Sequence, residues 1–158
     1  MDGILVARTL HILAVVIWIG GLAMATTVAI PAVRTGDLGA DWQRAFHAIE
    51  RRFVWQARTT VLIVGATGFY MTAELDLWDR FSEGAYWWMH GMVCVWVLFV
   101  LILFAGEPLV LHRSFERWAA ASPRTAFSWL QRAHWLLLAV SLLTVFGAAA
   151  GSHGWFLY

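Results

Sequence analysis

Two histidines frame the chemistry open to this chain. His90 stands inside Tyr86–Gly106, YWWMHGMVCVWVLFVLILFAG, a stretch without formal charge, and His11 stands near the start of a comparably apolar first segment. An imidazole titrates near neutral pH and binds metals. An ionisable group inside an apolar run of membrane length is costly, so its position calls for a function and a partner. At about 1.5 Å per helical residue, His11 lies about seven residues into its segment and His90 about four. Two imidazoles at matched depth on different helices are what a haem b with two axial histidines requires. Filling both axial positions shuts out other ligands and suits electron transfer. The spacing therefore predicts one haem b between His11 and His90.

The remaining candidates are ranked around that pair. Cys94, one helical turn from His90, and Trp18, two turns from His11, fall on the expected cofactor sides of their helices. Arg8 or Arg58 would meet the haem carboxylates through charge-assisted hydrogen bonds. A second haem, between His134 and His47 or His112, is an open alternative. Met89 and Met92 flank His90 and invite a copper reading, since thioethers suit Cu(I). On a helix they leave the His90 side, so they read as packing or lipid contacts. Glu107, just before Pro108, reads as an interfacial carboxylate or a proton-relay group. Of the tryptophans, Trp18, Trp96 and Trp135 lie deep enough to flank a cofactor. Trp42, Trp55, Trp78, Trp87, Trp88, Trp118, Trp129 and Trp155 sit where an interfacial aromatic belt is expected.

The elements that must position these groups follow from composition. The 158 residues are 61% hydrophobic and 13% charged, which excludes an ordinary soluble domain, and no feature points to nucleic acid. A single cysteine excludes an intrachain disulfide and any cysteine-based zinc or iron–sulfur site. Four apolar runs, about 4–30, 53–73, 86–111 and 129–151, approach or exceed the length of a membrane-spanning helix. A spanning segment must satisfy its own backbone. The expected fold is all-α, a single four-helix membrane bundle. The N-terminal run is too long for a signal peptide and reads as a retained first span. There are eleven arginines and no lysine, and nine of the arginines fall in the 31–58 and 107–132 segments. The positive-inside rule then places both termini on the outer, periplasmic side of a bacterial inner membrane. The segment 41–52 is amphipathic through Trp42, Phe46 and Ile49, and reads as a surface helix along the inner interface.

The run LHILAVVIWIGGL, followed by ERRF before the second span and WWMH opening the third, resembles a superfamily of small four-helix bacterial membrane proteins. It includes the copper-resistance-D (CopD) domain and the HemJ-type protoporphyrinogen oxidases, and the resemblance covers roughly residues 8–106. It implies a haem b bundle in which His11 matches the first-span histidine. HemJ-type enzymes use a third-span lysine, where this chain reads His90-Gly91-Met92. The expectation is therefore a cytochrome b-like electron-transfer protein, working with the quinone pool or a redox partner as a homo-oligomer or a subunit of a larger complex. Protoporphyrinogen oxidation and copper transport are the alternatives.

Overall fold

The computed structural model describes residues 2–39, 41–111, 117–118 and 121–154, and these are built from helices and turns alone. His112 and Trp155 lie outside the described residues, as does the side chain of Glu107. Helix α1 runs over Asp2–Met24, passes a π-helical turn at Ala25–Ala29 and continues as Ile30–Thr35. Gly36, at a φ of 83°, ends it in the left-handed conformation that glycine adopts without steric cost. Helix α2 is Trp42–Glu74. Two short 3₁₀ turns, Trp78–Ser82 and Gly84–Tyr86, lead into α3, which is Trp87–Val100 continued by a π-helical stretch at Leu101–Leu111. Helix α4 is Pro123–Ser152. Gly3 lies beside Tyr70 and Gly21 beside Phe53, so α1 and α2 are antiparallel; Gly91 meets Thr144 and Trp88 meets Gly151, so α3 and α4 are too.

Among the described residues, three stretches are long and apolar enough to cross a membrane: Asp2–Thr35, Gly84–Gly106 and Arg124–Ser152. The expected crossing at about 53–73 is not among them. Gln56, Arg58 and four threonines dilute that run. The hydroxyls of Thr59, Thr60, Thr67 and Thr72 each donate to a carbonyl one turn back, so the polarity is satisfied within the helix. The 41–52 segment also departs from expectation. It is not a separate surface helix but the first turns of α2, because Trp42 and Phe46 pack edge-on against Phe127 of α4 at 5.6 and 5.5 Å between ring centroids.

The core joins Ala14, Trp18 and Leu22 of α1 to Ala57, Val61 and Val64 of α2, Val95, Phe99 and Leu103 of α3, and Leu138 of α4. The opposite side of α1 exposes Leu5, Val6, Leu10, Ile12, Leu13 and Val16. A bundle bathed in lipid gains little from burying apolar surface, so its helices are held by close packing and interhelical hydrogen bonds. Two of those bonds share one cause. In a π register a carbonyl is served by the N–H five residues on, and for Thr26 and Leu103 that residue is Pro31 or Pro108, which has no N–H. A neighbouring helix fills each vacancy. Gln131 Nε2 donates to the Thr26 carbonyl at 2.6 Å, and Arg58 donates to the Leu103 carbonyl through Nε at 3.0 Å and Nη2 at 2.8 Å.

Candidate functional site

Toward the Asp2 end of the bundle, α2 and α3 part to form a cleft of about 250 Å³. Its α2 wall includes Val64, Gly65, Gly68 and Met71, its α3 wall Trp88, Met89, Met92, Val93 and Trp96, and α1 contributes Arg8 and His11. Leu77, Arg80 and Phe81 of the connector roof it. Trp96 closes the cleft at its far end, where the indole N–H donates to the Val61 carbonyl at 2.9 Å. A Cβ built on Gly65 would lie 2.5 Å from that ring, so only glycine admits the tryptophan there. One turn along, Gly68 lets the His11 ring approach α2; a Cβ on it would meet His11 Cε1 at 3.3 Å.

The state of His11 follows from its partner. Nδ1 lies 2.9 Å from Thr67 Oγ1, and that hydroxyl lies 2.6 Å from the Ile63 carbonyl. A carbonyl cannot donate, so the single hydroxyl hydrogen goes to Ile63 and the imidazole donates from Nδ1. Nε2 is left with the lone pair, the form in which an imidazole binds metal or accepts a proton. Arg8 is exposed at the cleft, and Arg80 stacks over Tyr86 at 4.9 Å. The cleft thus combines apolar walls, one basic nitrogen, three thioethers and two cations. That is the pattern of an orienting ligand site, a mostly apolar cavity with a few convergent polar groups.

His90 is placed elsewhere. Residues 89, 92, 93 and 96 recur at helical spacing and make the cleft face of α3. His90 is one residue, about 100°, around from Met89. It shares its side with Cys94, Val97 and Leu101, all exposed. Its ring meets Phe81 edge-on at 5.4 Å. The depth expected for His90 agrees with that of His11, but its direction does not, and the structure does not bring the two imidazoles into one cavity. Among the described residues, His11 is the histidine that lines this cleft.

The other expected site residues also disperse. Trp18 is buried in the core, edge-on to Phe99 at 4.8 Å. Arg58 serves the Leu103 carbonyl and lies over Phe104, nine residues from Thr67 and six from Val64 along α2, so it does not reach the cleft's Asp2 end. His134 turns Nδ1 to its own helix at the Leu130 carbonyl, and His47 pairs with Glu50 on the exposed start of α2. Trp135 is half exposed. Trp88, expected in the aromatic belt, is buried against α4. Thr67 and Met71 are candidates that residue typing missed, and Met89 and Met92, expected as packing or lipid contacts, line the cleft. Met89, Met92, Val93 and Trp96 recur at i, i+3, i+4 and i+7, but in a helix apolar on every side this recurrence does not mark the inward face. Among the described residues no cluster of three or more His, Cys, Asp or Glu side chains forms, so the donor set is an imidazole with thioethers. The chain matches no family model, no curated protein and no solved structure.

Proposed function

We propose that this protein is a small membrane redox protein of the cytochrome b kind, with a haem b ligated by His11 in the α2–α3 cleft. In this reading α2 is a fourth crossing, the termini lie on the periplasmic side of a bacterial inner membrane, and the cleft sits in the outer leaflet. The observation that carries it is the Thr67–His11 hydrogen bond, which leaves an unprotonated Nε2 in an apolar cavity edged by Arg8 and Arg80. A bound haem would supply a one-electron couple there. The chain's own part is to hold the imidazole tautomer, to pair two arginines with an anionic ring edge, and to exclude water with Leu77, Phe81 and Trp96. The electron partner in this reading is the quinone pool or another redox protein.

Purified full-length protein from haem-replete cells should be red, with haem b absorption bands and near-stoichiometric haem. A colourless preparation would refute this reading. A second reading, a copper-handling protein, is favoured by the three thioethers that share the cleft with His11. It predicts tight Cu(I) binding by colourless protein and altered cell copper on expression. A HemJ-type oxidase activity would require rescue of a strain lacking protoporphyrinogen oxidase.

A further inference from the structure

We infer that Met92 is the partner of His11 in a single imidazole–thioether metal site. The inference rests on reading the cleft as a metal or haem site, and supplies the ligand that His90 does not. Heights along the helices carry it. Trp96 is tied to Val61 and packs on Gly65. Met92 is four residues nearer the Asp2 end, about 6 Å along α3. Since α2 and α3 run antiparallel, this sets Met92 level with about residues 65–69 of α2. Thr67 and Gly68, which hold His11, lie in that interval. Met92 and His11 therefore line one cavity at one height from two different helices. Met89 and Met71 also line it, but a turn nearer the Asp2 end.

The chemistry agrees with the placement. An imidazole with its lone pair on Nε2 and a neutral thioether form a set that haem iron and Cu(I) both accept. Arg8 and Arg80 choose between them. Two cations beside the cleft oppose a bare metal cation and favour a metal that arrives inside an anionic ring. Haem iron with one imidazole and one thioether is the expected centre, with a higher reduction potential than a bis-histidine haem.

The test compares full-length wild type, Met92→Leu, Met89→Leu and His11→Ala, purified from haem-replete cells, by haem-to-protein ratio, ferric far-red charge-transfer band and reduction potential. A Cu(I) titration of haem-free protein against a competing chelator forms the second arm. Leucine conserves the volume of methionine, so packing is retained, and thermal unfolding verifies this. Met92→Leu should abolish the thioether band, lower the potential and weaken haem retention at least about tenfold, while Met89→Leu stays within about twofold. Haem bound through His11, with band and occupancy unchanged in Met92→Leu, would overturn the inference and leave the haem reading standing. Colourless protein whose Cu(I) affinity falls at least about tenfold in both His11→Ala and Met92→Leu would uphold the pair and end the haem reading. Wild type that takes neither metal would end both.

Discussion

The two sides of α3 differ more than their sequences suggest. One, carrying Met89, Met92, Val93 and Trp96, faces a cavity; the other, carrying His90, Cys94, Val97 and Leu101, faces outward. By residue type, the outward side looks the richer in chemistry, because it holds the histidine and the only cysteine. By placement, the side of thioethers and an indole meets His11 in an apolar cleft. In a helix of near-uniform apolarity, chemical richness and functional placement are separate properties. Rotation about the axis decides between them.

The largest expected effect separates Trp96 from Trp135. Trp96→Ala should cost about 3–5 kcal/mol of stability, because it removes the cleft's closure and the bond to Val61 and leaves a void against Gly65. Trp135→Ala, on a half-exposed side chain, should cost well under half as much. Thermal unfolding in detergent reads both, and equal losses would erase the distinction between a cleft tryptophan and an outward one. Arg58→Leu comes next, at roughly 1.5–3 kcal/mol, since it strips a charged donor from the Leu103 carbonyl that Pro108 cannot serve. Ligand binding in the cleft should be unchanged by it. A loss of haem or metal with stability intact would return Arg58 to the site.

Thr67→Val probes the cleft side more finely. Without the hydroxyl, Nδ1–H loses its acceptor and the ring is no longer held in the Nε2 lone-pair form. Affinity for the metal or haem should fall by about 10- to 100-fold, as it does when the hydrogen bond that orients a ligating imidazole is lost, and Thr67→Ser should restore it. An unchanged affinity in Thr67→Val would detach the tautomer from function. Cys94→Ser, on the outward side, should have the smallest effect, within about 0.5 kcal/mol and with no change in bound ligand.

Much of the architecture was legible from residue order. Apolar runs located three helices of membrane length, and counting along them set His11 and His90 at the same height. The depth argument needs only the helical rise. Azimuth was not legible, because α3 is apolar on every side and its pattern does not say which face turns inward. Nor does residue order say what Gly65 and Gly68 make room for. In the fold they admit Trp96 and His11. Nor could the run at 53–73 reveal that its threonines would satisfy themselves, or that Trp42 and Phe46 would continue α2 by packing on Phe127. Those outcomes depend on contacts far apart in the chain.

The placement of His11 inside the cleft and His90 outside it can be tested with two variants. His11→Ala and His90→Ala, expressed together with wild type under haem-replete conditions, need only an absorption spectrum and a haem-to-protein ratio. Haem retained at wild-type level by His90→Ala and lost by His11→Ala is the expected result. Loss in His90→Ala, with His11→Ala unaffected, would contradict it.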